Sequence, residues 1–207
     1  MKKTLYSLML SDEVVREIDI LAHRMGTNRS NLINQILAEH VSLRTPEQQM
    51  NEIFTALNEL IAPSRELVPY WEQGTPTMSM KSCLEYKYRP TVRYEVELAR
   101  SLGGGTLSVI FRTQSAALID AMSSFFALWK RIEDAYLPAR RDYALGEGRF
   151  VRTLEFPADA EADRLAAAIS DYVQTFDALM KRYIVGSMSA EDVAAAYRQK
   201  FAGTYVI

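Results

Sequence analysis

The chain has one cysteine, two histidines and no unbroken hydrophobic run of membrane-spanning length in its 207 residues. A lone Cys83 excludes an intrachain disulfide, and so few histidines leave little to build a metal site from. A bilayer span needs about 18 or more consecutive apolar residues. Nothing in the chain supplies them, and Lys2 and Lys3 are not followed by the apolar core and cleavage pattern of a leader. The expectation is a cytoplasmic protein with no membrane partner and no cofactor. Bulk charge is also missing: the formal net charge is −2. A nucleic-acid binder of this composition has to concentrate its cations locally. The first 45 residues hold Lys2, Lys3, Arg16, Arg24, Arg29 and Arg44 against five acids, which leaves the remainder acidic by about three charges.

What is present is the composition of an ordinary globular domain, 48% apolar and 24% charged. Residues 4–10 alternate as a short strand, with Tyr6, Leu8 and Leu10 on one face and Leu5, Ser7 and Met9 on the other. Ser11 is a hydroxyl N-cap, and Asp12 and Glu13 suit the positive first turn of a helix. That helix runs to about Met25, with Val14, Ile18, Leu21 and Met25 as its inward stripe and Gly26 as its stop. Asn28 caps a second helix carrying Leu32, Ile33, Ile36 and Leu37. About forty residues cannot bury apolar faces this broad, so the segment needs partner surface. Thr45-Pro46-Glu47-Gln48 opens a third helix with a capping box and proline at its first position.

The remaining chain reads as α+β. Prolines 63, 69 and 76 with Gly74 mark residues 63–80 as a linker, which divides the chain into a module at 1–45, a helix and linker at 46–80 and a domain at 81–207. Val92, Tyr94, Val96 and Leu98 alternate with Arg93, Glu95 and Glu97 as a half-buried strand. Gly103-Gly104-Gly105 reads as the turn into a second strand at Thr106–Arg112, and not as a phosphate loop, since no helix start follows. Ser115–Tyr136 and about 160–184 are long amphipathic helices, Arg149–Phe156 is a third strand, and Ser189 caps a last helix with Val193, Tyr197 and Phe201 inward. Tyr86-Lys87-Tyr88-Arg89 interleaves rings and cations, as nucleic-acid surfaces and solvent-facing strands both do. No histidine accompanies Glu95 and Glu97, and no nucleophile–base set is visible, so the chain is not read as an enzyme.

The order and spacing of the N-terminal features carry a resemblance. Lys2-Lys3, the strand Leu5–Leu10, Ser11-Asp12-Glu13, Gly26, and Asn28-Arg29-Ser30 opening a helix together resemble the ribbon-helix-helix family of the Arc, MetJ and CopG type, over residues 2 to about 42. The resemblance implies an intertwined homodimer, or a higher homo-oligomer, whose two N-terminal strands pair as a ribbon in the major groove of double-stranded DNA. Leu5, Ser7 and Met9 would then face base edges, while Lys2, Lys3, Asn28, Arg29 and Ser30 would lie at phosphates. The function implied is a transcriptional regulator, a repressor acting by operator occupancy at the nucleoid. Its C-terminal domain would bind a small-molecule or protein effector. An antitoxin or a plasmid or mobile-element accessory protein, with a partner on the C-terminal domain, is the alternative. Leu5 and Met9 depart from the polar or basic residues usual on such a ribbon. Apolar groups touch thymine methyls but make no hydrogen bonds to bases. The site is thymine-rich, or shape and phosphates carry recognition, or this ribbon does not read DNA.

Overall fold

The computed structural model describes residues 5–41, 43–86, 89–138, 141–157, 160–204 and 207. Helix α1 (Asp12–Arg24) and α2 (Arg29–His40) come first, then α3 (Pro46–Ile61) with a 3-10 turn at Ala62–Ser64. Strands β1 (Leu67–Trp71), β2 (Thr77–Cys83), β3 (Thr91–Leu98) and β4 (Gly104–Phe111) precede α4 (Ala116–Tyr136). Strands β5 (Tyr143–Gly146) and β6 (Arg149–Glu155), then α5 (Ala162–Ile184) and α6 (Ala190–Phe201), complete the chain. The fold is α+β around a six-stranded antiparallel sheet in the order β1-β2-β3-β4-β6-β5.

Strand alternation places one face of the sheet against the helices. Met80, Tyr94, Val109 and Phe150 form one inward row across β2, β3, β4 and β6, and Met78, Val96, Leu107 and Arg152 form the next. All eight side chains are buried. Between these rows, Ser79, Glu95 and Val151 look outward and are only half-covered, the pattern of an antiparallel sheet with one solvated face. Phe125 and Trp129 of α4 and Phe176 of α5 pack ring against ring on the inward rows. Tyr94 donates its hydroxyl to Asp177 of α5 at 2.8 Å, tying helix to sheet inside the core.

Several expectations need correction. Residues 63–80 are not a linker: they hold β1 and most of β2, and Leu67, Met78 and Met80 belong to the main core with Met50, Phe54 and Leu57 of α3. Pro69 is tolerated because β1 is an edge strand, where a missing N–H costs no ladder bond. The division at residues 46–80 therefore moves to the Leu43–Thr45 junction, and α3 belongs with the large body. The triple glycine is not the turn either. The chain reverses through Ala99–Leu102, with Leu102 at φ 55°, and Gly104 and Gly105 already lie in β4. A Cβ at Gly104 would sit 2.3 Å from the Leu154 carbonyl oxygen, and one at Gly105 would sit 2.2 Å from that of Glu97, so close strand approach explains both glycines. Strand β5 was not expected at all, and Tyr136, the last residue of α4, is exposed.

The N-terminal segment differs in a further way. Residues 5–10 form no hydrogen-bonded strand within the single chain, because no neighbouring strand lies beside them. Helices α1 and α2 form as expected, but Val14, Leu21 and Met25 of the first stripe are exposed and Ile18 is half-buried. Ile36 and Leu37 of the second are exposed too, and only Ala22, Leu32 and Ala38 of the two helices are buried.

Candidate nucleic-acid interface

The local chemistry of the α1–α2 unit is well determined. Ser11 Oγ accepts from the Val14 amide at the start of α1, and Asn28 Oδ1 accepts from the Asn31 amide at 3.0 Å at the start of α2. Gly26, at φ +62°, lets the chain leave α1 in the left-handed region, which a Cβ would disfavour. The Arg29 guanidinium grips Asp19 in a two-pronged ion pair, Nε to Oδ1 at 2.7 Å and Nη2 to Oδ2, so the first residue of α2 is clamped to the middle of α1. That bond holds the Asp19 carboxyl below its usual range and raises Arg29 further.

The sequence-expected contacts separate into three groups. Lys2 and Lys3 lie outside the described residues. Leu5, Ser7 and Met9 are exposed, Leu5 and Met9 almost completely, whereas Leu8 and Leu10 are 52% and 41% exposed. Tyr6, expected on the inward face with Leu8 and Leu10, is 82% exposed, so within the single chain residues 5–10 have no buried face. At α2 the expected phosphate contacts divide by role. Asn28 spends its side-chain oxygen on the cap and Arg29 spends two guanidinium nitrogens on Asp19, while Ser30 stays exposed. The Arg29–Asp19 clamp was not anticipated. A ten-residue separation across a turn has no local sequence signature, unlike the i,i+4 pairs that can be read along one helix.

The module rests on the body through its own inter-helix turn. Met25, Gly26 and Thr27 border a small cleft with Met50 and Asn51 of α3 and Gln73 and Gly74 of the β1–β2 turn. Thr45, buried at the junction, caps α3 reciprocally with Gln48. Val14, Leu21, Ile36, Leu37, Val41 and Leu43 are all exposed, and most of the large apolar side chains left exposed among the described residues lie in residues 5–43. His23 and His40 are exposed in the last turns of their helices. Among the described residues, no group of three or more His, Cys, Asp or Glu side chains is placed to hold a metal ion, and no helix is long and apolar enough to cross a membrane. No protein-family model, curated protein or solved structure matches the chain.

Proposed function

We propose that the chain is a sequence-specific DNA-binding regulator, a repressor that works as a homodimer with its two N-terminal segments paired as a β-ribbon in the major groove. The supporting observation is the combination at residues 5–43. An unpaired segment precedes two capped helices whose apolar faces are open, as one half of an intertwined core would be. Pairing two copies would satisfy the strand edges of residues 5–10 and cover Leu8, Leu10, Val14, Leu21 and Leu37. Leu5, Ser7 and Met9 would stay outward, towards base edges. Arg29, held by Asp19, would set the position of the α2 N-terminus, where the backbone amides of Arg29 and Ser30 precede the capped one and can meet a phosphate.

The test is selection from a random duplex pool at low salt, with sedimentation of the same sample. The expected result is a dimer that enriches one motif, with affinity falling by roughly 0.9 log units per phosphate contact for each tenfold rise in salt. A Ser7→Glu, Met9→Glu variant should stay dimeric and enrich nothing. A monomeric wild type, or a dimer that enriches no motif, overturns the proposal.

A further inference from the structure

A cavity of about 750 Å³ lies far from the N-terminal segment in sequence and is not explained by DNA binding. That size is in the range of small-molecule sites. It opens where the start of β1, the end of β2, the β2–β3 connection and the last turn of α5 meet. Its floor is apolar: Leu84 is buried, and Ile184 and Val185 form one wall.

The rim is cationic. Arg65, Lys81, Arg89 and Arg182 line it, and the first three have no ion-pair partner among the described residues. Lys181 is shared between Glu66 at 2.7 Å and Asp177 at 2.8 Å and adds no free charge to the rim, which leaves Glu85 as the one further carboxylate of the lining. Arg182, in the last turn of α5, offsets the carbonyl end of that helix, which by itself would repel an anion.

A second observation is independent of charge. Among the described residues only three other than glycine have positive φ, and two of them, Arg65 at 56° and Arg89 at 42°, are on this rim. Arg65 ends the 3-10 turn after α3, a position where glycine would adopt the same backbone without strain. Strained conformations for long side chains collect where the side chain is needed in place. What arginine adds at both positions is a guanidinium, a strong partner for carboxylate and phosphate oxygens.

We propose that this cavity binds a small organic anion, its carboxylate or phosphate head held by Arg65, Lys81 and Arg89 and its apolar body lying on Leu84, Ile184 and Val185. The site stands apart from the DNA reading and survives its failure.

Cys83, the one cysteine of the chain, lines the cavity and is exposed, so it reports on occupancy from within. The experiment follows alkylation of Cys83 by iodoacetamide in the full chain, by intact mass, with octyl phosphate as the probe and octyl glucoside and inorganic phosphate as controls. Octyl phosphate should slow alkylation saturably, by about fivefold or more, and neither control should at the same concentration. An Arg65→Gly, Arg89→Gly variant removes both guanidinium groups while relieving the backbone. It should keep or raise the melting temperature and need at least about tenfold more octyl phosphate for half-protection. Equal protection by octyl glucoside or by inorganic phosphate, no saturable protection, or an unchanged half-protecting concentration in the variant each overturns the proposal.

Discussion

Residues 45–207 bury their rings against one another: Phe176 lies 4.8 Å from Trp129 and 5.3 Å from both Phe125 and Phe150, centroid to centroid, and all four are buried. Residues 5–43 contain a similar share of large apolar side chains, yet of α1 and α2 only Ala22, Leu32 and Ala38 are buried, and Leu21 is 42% exposed. Both regions have well-capped helices, so local signals do not separate them. They differ in whether the apolar faces find a partner within the same chain. In the body, α3, α4 and α5 meet one sheet face. In the module, two short helices meet only each other and a small cleft. The first therefore carries its own apolar burial, whereas the second would gain stability from any surface that covers it.

The largest effect that would sharpen this contrast is in the body. Phe176→Ala should cost about 3–5 kcal/mol, since it opens a void among at least three other rings. The measurement is denaturant unfolding at two protein concentrations well apart. The body's transition should fall in midpoint and not depend on concentration, whereas signals from α1 and α2 should. Concentration dependence in both transitions would erase the distinction.

A somewhat smaller effect lies in the charged part of the same core. Glu133 and Arg152 are both fully buried, joined at 2.9 Å, and Tyr143 and Tyr197 also donate to the Glu133 carboxylate at 2.7 and 3.3 Å. The Arg152 guanidinium lies 4.5 Å from the centre of the Tyr172 ring, and its two terminal nitrogens have no hydrogen-bond partner among the described residues. Burial, with the neighbouring Glu133 charge next in weight, pushes the Tyr143 and Tyr197 hydroxyls upward, so both stay protonated donors across the ordinary pH range. Glu133→Gln leaves a buried cation without its counter-charge and should cost about 3 kcal/mol by thermal unfolding. A Glu133→Leu, Arg152→Leu double variant should lose less than Glu133→Gln, because neither charge is then stranded. A double variant that is the less stable of the two would mean the pair contributes net stability.

How far the sequence discloses this depends on how local each signal is. Five helices announce themselves by their caps, since Ser11, Asn28, Thr45, Ser115 and Ser189 all accept from the backbone amide of the third helical residue, while α5, with no side-chain cap, is read from its apolar periodicity. The alternation at Val92–Leu98 likewise reads directly as β3. Strand β1 escapes because Pro69 interrupts it, which an edge strand tolerates and a central one does not, and β2 escapes because Gly74 and Pro76 just before it read as the end of a linker. Arg152 shares its strand face with Phe150 and Leu154, so alternation alone puts a cation among inward side chains, but its counter-charge Glu133 comes from α4, nineteen residues away, and no spacing rule supplies it. The rim of the cavity gathers Arg65, Lys81, Arg89 and Arg182 from four separate segments, and no spacing rule joins them. In the module, whether residues 5–10 pair as a ribbon is a property of two chains, beyond any pattern within one sequence.

The smallest effect tests what the module holds without a partner. Both members of the Asp19–Arg29 pair are about half exposed, at 47% and 51%, so its contribution to stability is small and screened by salt. Its pH dependence is nonetheless definite in sign. The Arg29 hydrogen bond holds the folded Asp19 carboxyl below the unfolded value of about 3.9, so the contribution is present above that pH and is lost as pH falls through the lower, folded value. The Nε resonance of Arg29, followed from neutral to acid pH, should show a transition centred below the usual carboxylate range. Asp19→Asn should remove that transition and leave the unfolding of the body unchanged. A midpoint at or above the ordinary carboxylate value would mean that the clamp does not form in solution. The α1–α2 angle would then be set only by the surface that covers their apolar faces.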